Sequence, residues 1–472
     1  MGLFHGIKTN QAINDQEVFY MSEEIKRLFN QRLGRYQAAI AMEPTDRVPT
    51  AFQTLYFAIK NSGYNYQQIM YDPEIWLKVK LDFSRKYPEV DIFRINLLWA
   101  PSFDVTDYRI FKVPGRDISE KSLQQFDETE YMKADEYRMF IDDPVGFRME
   151  RYFPRVFGEY EGKGSVRSHM AFLKSGMAQG INNAINRERA ARLASEVGLP
   201  VPVMGNFVAP FDYLSDRFRG LNGIIRDMFR QPDNVKEACE AILPDLLNIT
   251  LAGADPLKRY PIFVATHKPC FLSPKQFDDF YWPTFKKGMM MLIEAGYTFR
   301  VFLEGNWEAH WHHIAEFPKG TVLCDIDNGA DIFKAKEAFG HKQCIAGGMP
   351  DQTLIFGSPE QVRARVKLLC ETVGKDGGLI IRGGTNVPED TKPENFRALL
   401  DAIMEYGKYS DGPAPEPKSM PKPSGNVEFP QARMVTPWEV KKADWKLPGD
   451  EELIRRPWEM LEKMAYNWLI AR

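Results

Sequence analysis

Residues 298–306 read TFRVFLEGN, and this stretch is the best guide to the fold. An apolar strand pattern ends on one carboxylate, Glu304, before a Gly-Asn turn and a histidine-rich helix start at 307–313. Strands of this kind are typically buried on both faces of a parallel sheet. A carboxylate at the carboxyl end of such a strand lies where α/β proteins place their chemistry. Glu304 is therefore the first candidate functional residue. The alternative is a structural Glu that caps the next helix or pairs with an arginine.

The same alternation of short apolar runs and amphipathic helices extends in both directions from this stretch. Strands are predicted at 47–52, 91–98, 201–206, 261–266, 298–303, 321–326, 343–347 and 378–382. Helices are predicted at 230–250, 274–295, 329–339, 359–373 and 392–406. About eight strands in βα alternation predict an α/β protein with a (β/α)8 TIM barrel, and a doubly wound sheet is the alternative.

Several segments interrupt or flank this alternation. Residues 105–165 are polar and turn-rich, which predicts an insertion after the second strand, a hairpin plus helices over the barrel mouth. Residues 411–424, DGPAPEPKSMPKPS, form a Pro-rich linker of extended character. The predicted organisation is an N-terminal helical segment at 1–40, the barrel at 41–410, the linker, and a C-terminal tail at 425–472. The Trp-rich tail is interpreted as a docking helix or as an arm of a homo-oligomer.

Composition narrows the function classes. The 472 residues are 44% hydrophobic and 26% charged, with a net charge of −3, so no basic excess points to nucleic acid or to an anionic membrane. No apolar run approaches the ~18 residues of a membrane span, and the N-terminus lacks the apolar run of a signal peptide. Five scattered cysteines indicate free thiols in a reducing compartment, so we expect a cytoplasmic protein.

Several phrases of the sequence resemble the uroporphyrinogen decarboxylase superfamily. Residues 45–49 read TDRVP, residues 207–245 carry a Pro-Phe segment followed by a helix, a turn and another helix, and residues 272–306 join LSPKQFDDFYWP to the Gly-Asn turn. Residues 387–396, VPEDTKPENF, are the most specific phrase. The similarity covers roughly residues 40–410 and implies the same (β/α)8 barrel that periodicity predicts.

Two differences and one similarity indicate the branch of this superfamily. Its porphyrinogen decarboxylases follow the first strand with arginines that hold substrate carboxylates, whereas residues 52–57 here read FQTLYF. Its thiol-methylating members carry His-x-Cys where this chain has Phe302 and Glu304. Residues 130–147 are similar to its substrate-demethylating methyltransferases. The resemblance therefore implies a methyltransferase that takes the methyl group of a small methylated compound, often a methyl ether, to the cobalt of a separate corrinoid (cobalamin) protein. The alternatives are a decarboxylase or other lyase acting on a smaller acid, and a non-catalytic binding barrel.

Such a reaction needs help at the leaving group. A methyl ether releases an alkoxide or phenolate, which leaves poorly unless its oxygen is protonated or bound to a Lewis acid. A general acid with a raised pKa would serve, and so would a zinc ion. Glu304 suits either role. His310, at the following helix start, is a further catalytic candidate, or else lies on the solvated face.

Two neighbouring strand ends complete a hypothetical zinc site. His267 follows the strand at 261–266, and Cys324 lies late in the strand at 321–326. His267, Glu304 and Cys324 would supply three ligands and leave a fourth position open for substrate. The alternatives are a hydrogen-bonded loop histidine and a buried strand thiol.

Other polar residues near strand ends are candidates for substrate binding. Asn96 and Asn206 would position a hydroxyl or ether oxygen, with turn formation as the alternative. Arg382 would pair with Glu304 or with a substrate carboxylate. Asp327 would bind substrate or orient a metal-bound histidine.

Overall fold

A computed structural model describes the chain at residues 21–93, 98–160, 162, 164–202, 205–384, 386–418 and 427–471. Within these ranges, no helix combines the length and the apolar character needed to cross a membrane.

Strands β1 to β9 are assigned in chain order. They are Ala51–Phe52 (β1), Ile92–Phe93 (β2), Phe111–Lys112 (β3), Gln125–Phe126 (β4), Ile262–Thr266 (β5), Phe299–Leu303 (β6), Val322–Ile326 (β7), Cys344–Gly348 (β8) and Leu379–Arg382 (β9). Strands β5 to β9 form a parallel sheet in sequence order, and β1 pairs with β2 in parallel.

Two parallel β-bridges extend the five-stranded sheet, one at each edge. Thr50 pairs with Ile381 and so joins β1 and β2 to β9, while Asn206 pairs with Phe263 and so adds residues 205–207 beside β5. The described pairings thus relate eight parallel segments at the positions that the sequence predicts. This is the strand set of a (β/α)8 barrel, and the predicted fold class is confirmed.

The longer helices are α1 to α9 in chain order. They are Glu23–Ile40 (α1), Pro73–Lys86 (α2), Val166–Val197 (α3), Gly220–Arg230 (α4), Pro232–Gly253 (α5), Trp282–Glu294 (α6), Pro359–Glu371 (α7), Pro393–Tyr406 (α8) and Glu451–Ala471 (α9). Shorter helices are Leu55–Lys60, Tyr66–Tyr71, Pro101–Asp104, Tyr137–Asp142, Pro144–Phe147, Phe153–Val156, Pro210–Leu214, Pro274–Gln276, Trp311–Ile314, Ile332–Phe339, Asp351–Phe356 and Trp438–Lys442.

Local capping explains where several barrel helices begin. Ser273 and Ser358 each form a capping box with the glutamine three residues later, and a proline follows each serine. Such pairs satisfy backbone donors that a helix start leaves unpaired. At the start of α8 the N-cap is Lys392, and no side chain caps it.

Alternation along the strands separates two cores. Leu323, Cys344, Ala346 and Ile380 form one small cluster with residues of β1, β2 and α1, inside the barrel. Val264, Val301, Cys324, Ile345 and Ile381 belong instead to the large cluster shared with the surrounding helices. Successive side chains of a strand point to opposite faces. The strand residues of the small cluster therefore face the barrel interior, and those of the large cluster face the helices.

The insertion and the tail both pack against helix α5. Residues 105–165 contain the antiparallel β3–β4 hairpin and short helices. The end of α9 is held by Arg148 and Tyr213, whose side chains both donate to the carbonyl oxygen of Ile470 at 2.6 and 2.8 Å.

Candidate active site

Glu304 lies at the carboxyl end of β6, on the same side of the strand as the residues that face the barrel interior. It follows Arg300 and Phe302 on the same face, and Phe302 is in register with Asp325 of β7. The Glu304 side chain is 46% exposed, and its Oε2 lies 3.7 Å from Nε2 of His267, whose side chain is 42% exposed. Two of the predicted site residues therefore meet at an accessible barrel rim.

The Gly-Asn turn after Glu304 needs glycine. Gly305 has φ of 72°, and a Cβ built there would lie 2.9 Å from Cβ of Cys270. Its N–H donates to Oδ2 of Asp327 at 2.9 Å. Asp327 therefore fixes the turn that carries Glu304, at a place where no L side chain fits without strain.

His267 lies between two carboxylates. Its Nδ1 is 2.5 Å from Oδ2 of Asp216, on the side opposite Glu304. Burial disfavours the imidazolium, but the hydrogen bond and charge of Asp216 outweigh burial and raise the pKa of His267 to about 9. At neutral pH the ring is therefore a cation, with Nε2–H turned to the Glu304 side.

Lys268 adds a second cation beside the same carboxylate. Its Nζ lies 2.8 Å from Oδ1 of Asp216 and 3.1 Å from Oε2 of Glu128. Burial raises the pKa of Asp216, but its bonds to His267 and Lys268 prevail and hold that pKa below the usual range. Since Glu128 belongs to the 105–165 insertion, the insertion reaches the rim of the site.

A buried carboxylate, Asp212, fixes the loop that carries His267. Its two oxygens accept the N–H groups of His267 and Lys268 at 3.2 and 3.0 Å, and the hydroxyl of Tyr281 at 2.7 Å. Burial and the nearby charge of Asp216 raise the pKa of Asp212 to about 7. The backbone direction after β5 is thereby set by one side chain.

Burial also raises the pKa of Glu304. The cations His267 and Lys268 oppose this shift, while Asp327 and Asp216 add to it. The rim therefore combines an imidazolium and a carboxyl group of raised pKa, 3.7 Å apart. Such a pair can donate a proton to a bound oxygen atom.

Arg382 was predicted to pair with Glu304 or with a substrate carboxylate, but it binds a different carboxylate of the protein. Its guanidinium bonds Oδ2 of Asp325 at 2.7 Å and the carbonyl of Gly384 at 3.0 Å. Arg300 bonds the same Asp325 oxygen at 2.7 Å. Arg382 thus belongs to a buried ion cluster inside the barrel, below the rim.

The structure places His310 behind the site, which corrects its predicted catalytic role. Its ring is buried and stacks on Phe277 at 4.1 Å between centroids, and Nε2 lies 3.2 Å from the carbonyl oxygen of Pro269. Burial lowers the pKa of His310, so this ring is neutral at physiological pH. His310 supports the loop that follows His267.

The hypothetical zinc site is also corrected. Cys324 is in register with Val301 and lies in the large outer core, on the face of β7 opposite to Asp325. Within the described ranges, no three His, Cys, Asp or Glu side chains form a group able to hold a metal ion. His267 and Glu304 meet, but their predicted third ligand points to the helical shell.

The two predicted asparagines differ in what the structure describes. Asn96 lies outside the described residues. Asn206 is exposed beside Phe263 of β5, and its carbonyl accepts the hydroxyl of Thr250 at 3.1 Å. Asn206 therefore remains a candidate for contact with a ligand.

Sequence reasoning missed Asp212, Asp216 and Lys268. A signal existed, because Asp212 and Asp216 lie four residues apart just after the segment at 205–207, at the same barrel end as Glu304. Acidic residues at that spacing share one helix face. Lys268 directly follows His267, and no sequence pattern of its own marked it as a site residue.

Comparison with known proteins shows one family match. Residues 180–406 match the family model of uroporphyrinogen decarboxylase (URO-D). The expected resemblance to this superfamily is confirmed, and the matched region contains Asp212, Asp216, His267, Lys268 and Glu304.

Curated relatives match over short stretches. The uroporphyrinogen decarboxylase of Psychromonas ingrahamii is 28% identical over 138 residues, 28% of this chain and 38% of the relative. That of Actinobacillus succinogenes is 28% identical over 89 residues, 19% of this chain and 25% of the relative. That of Aliivibrio salmonicida is 32% identical over 90 residues, which cover 19% of this chain and 25% of the relative. The chain thus spans only a quarter to two fifths of the length of these relatives.

A solved structure matches more fully. A methyltransferase from Methanosarcina mazei superposes with a TM-score of 0.54 and 17% identity, covering 79% of this chain and 98% of the other. At this identity the likeness concerns the fold.

Proposed function

We propose that the protein is a methyltransferase that removes a methyl group from a small methylated compound, such as a methyl ether. The methyl acceptor would be the cobalt of a corrinoid carried by a partner protein. The observation that carries this proposal is the arrangement of three side chains at the barrel rim. His267 lies between Asp216 and Glu304 and can donate a proton to a leaving oxygen. The superfamily match and the fold shared with a methyltransferase support the reaction class.

The rim residues have separate tasks in this reaction. The imidazolium of His267 donates its Nε2 proton to the ether oxygen as the bond between oxygen and methyl carbon breaks. That oxygen keeps the bonding electron pair and leaves as an alcohol or phenol, while the acceptor supplies the pair for the new bond to methyl. Asp216 holds the ring in place on Nδ1 throughout, as a carboxylate does for a catalytic histidine.

Glu304 lies where it can bind the other side of the substrate oxygen. The distance of 3.7 Å between Oε2 and Nε2 is longer than a hydrogen bond, so the two groups do not satisfy each other. An oxygen atom bound at Nε2 would lie beside the Glu304 carboxyl group. We assign Glu304 to orienting the leaving group and to returning the proton to His267.

Zinc has no step in this proposal. His267 and Glu304 offer two donors, Nδ1 of His267 is taken by Asp216, and Cys324 faces the other side of its strand. A zinc site in proteins needs at least three protein ligands, and the described residues do not supply them. Proton donation therefore carries the activation of the leaving group.

The test uses the purified chain, free reduced cobalamin as a surrogate acceptor, and a panel of methyl ethers, methylamines and methyl thioethers. The expected result is methylation of the corrinoid, seen in its absorption spectrum, with at least one ether and with equimolar release of the alcohol or phenol. Carbon dioxide release from a small acid without corrinoid would select the lyase alternative. No turnover with any donor, while the corrinoid is methylated in a control reaction, would overturn the proposal.

A further inference from the structure

Lys268 is a buried cation held between two carboxylates from different parts of the chain. The residue is 5% exposed, and its Nζ lies 2.8 Å from Oδ1 of Asp216 and 3.1 Å from Oε2 of Glu128. Burial lowers the pKa of Lys268, but the two carboxylates outweigh burial and raise it, so the ammonium group is charged at neutral pH. Asp216 and Glu128 therefore share one positive charge.

Asp216 is in turn shared between two cations. Its Oδ2 bonds Nδ1 of His267, and its Oδ1 bonds Lys268, which is the next residue of the same loop. The backbone N–H groups of both residues are bonded to Asp212, so the two side chains reach Asp216 from fixed points. A carboxylate stabilises an imidazolium through its negative charge, and a second cation on its other oxygen weakens that effect. Lys268 therefore competes with His267 for the charge of Asp216.

Glu128 is fixed to the same turn that carries Asp216. Its Oε1 accepts the N–H of Leu221 at 2.6 Å, in the first turn of α4. The chain after Glu128 packs there as well, because the carbonyl oxygen of Phe218 accepts the N–H groups of residues 131–132 at 2.8 and 2.9 Å. The Glu128 side chain is therefore held beside Lys268 from both the insertion and the turn.

We propose that Glu128 is a positioning residue for His267. By binding Lys268, it weakens the hold of Lys268 on Asp216 and leaves the charge of Asp216 to the ring, which then keeps its proton more firmly. The charged groups that act on the ring are Asp212, Asp216 and Glu304, with Lys268 bound to Asp216. The insertion thus adjusts the proton donor of the rim through one lysine. The consequence for methyl transfer rests on the proposed function, but the effect on His267 does not.

The test is NMR titration of the His267 ring in the full chain, with H267N assigning the signal. E128Q should lower the midpoint of the titration by about half a pH unit, because Lys268 then acts on Asp216 alone. K268M should raise the midpoint by about one unit, a tenfold change in proton affinity. D127N is the matched control, since it removes a negative charge from the neighbouring position, where Asp127 pairs with Lys112 at 3.1 Å. It should leave the midpoint unchanged.

The double variant separates positioning through Lys268 from a direct electrostatic effect of Glu128 on the ring. In the K268M background, E128Q should have no further effect on the midpoint, whereas a direct effect would lower it as in the wild type. E128K reverses the charge of a side chain that is 32% exposed, and it should lower the midpoint further than E128Q. This variant tests the sign of the effect even if K268M does not fold.

An unchanged midpoint in E128Q or E128K, or an effect of E128Q that persists in K268M, would overturn the proposal. Equal shifts in E128Q and D127N would also overturn it, because they would show a general effect of net charge. The titration needs neither substrate nor corrinoid, so failure here is distinct from failure of the proposed methyl transfer.

Discussion

Asp216 Oδ2 lies 2.5 Å from Nδ1 of His267, which leaves Nε2 of the ring turned toward Glu304. This contact sets the ring orientation and keeps the imidazole protonated at neutral pH, since it raises the pKa of His267 to about 9. A protonated ring at the rim of a parallel barrel is the basis of the proposed proton donation, and the contact can be tested independently of the substrate.

The first prediction concerns pH. The pKa of His267 in the folded chain exceeds its ordinary value of about 6.5, so the imidazolium, and its contribution to stability, are fully present below about pH 6.5 and lost as pH rises through about 9. The rate of methyl transfer should be flat up to about pH 8 and fall above about pH 9. In D216N the fall should move toward pH 6.5.

NMR titration of the histidine rings checks the same shift without substrate, with H267N assigning the signal. D279N is the control, because Asp279 forms an exposed pair with Lys275 at 2.7 Å away from the rim. A His267 signal that titrates near pH 6.5 in the wild type would contradict the prediction.

The second prediction concerns Asp212. D212A leaves two backbone N–H groups and the Tyr281 hydroxyl without their acceptor in a buried place, so we expect a loss of about 3 kcal/mol in unfolding free energy. Y281F removes one of the three donors and should cost about 1 kcal/mol. Urea denaturation measures both. Equal effects of the two variants would show that Asp212 does not organise the loop.

The third prediction concerns the buried ion cluster. D325A removes the carboxylate that binds Arg300 and Arg382 inside the barrel, and leaves buried positive charge. We expect a cost of about 3–5 kcal/mol, since breaking a buried pair exposes its full desolvation penalty. D279A, which breaks an exposed pair, should cost less than about 1 kcal/mol. A small effect of D325A, measured by chemical denaturation, would argue against a buried cluster.

The fourth prediction separates acid from metal activation. C324A removes a side chain packed in the outer core, so it should lower stability modestly, by about 1 kcal/mol, and leave the methyl-transfer rate unchanged. Dialysis against a chelator should also leave the rate unchanged. Loss of activity in both experiments, restored by zinc, would reinstate Cys324 as a ligand.

The barrel was predictable from sequence because its signals are local. Strand positions follow from short apolar runs, and the helices at 274–295 and 359–373 follow from amphipathic periodicity. Glu304 and His267 could be placed at one barrel end, because both directly follow such runs.

What the sequence could not supply was the register between strands. Glu304 and Cys324 both lie near strand ends. Phe302, which faces the same side as Glu304, pairs with Asp325. Cys324 therefore lies on the opposite face of its strand and points to the helices. His310 likewise follows the right turn, yet the 3-10 turn at Glu308–His310 and stacking on Phe277 direct its ring behind the loop. Both errors arise from tertiary geometry that spacing alone does not encode.

The most direct test of proton donation is the dependence of methyl transfer on the leaving group. Aryl methyl ethers with nitro substituents release a stable phenolate and need little protonation, whereas unsubstituted ethers need it fully. We predict that H267N slows transfer from the unsubstituted ether by about 100-fold or more, within the range of general acid catalysis. Transfer from the nitro-substituted ether should slow by less than about tenfold. An equal loss with both ethers, or no loss with either, would contradict the assignment of His267 as the proton donor.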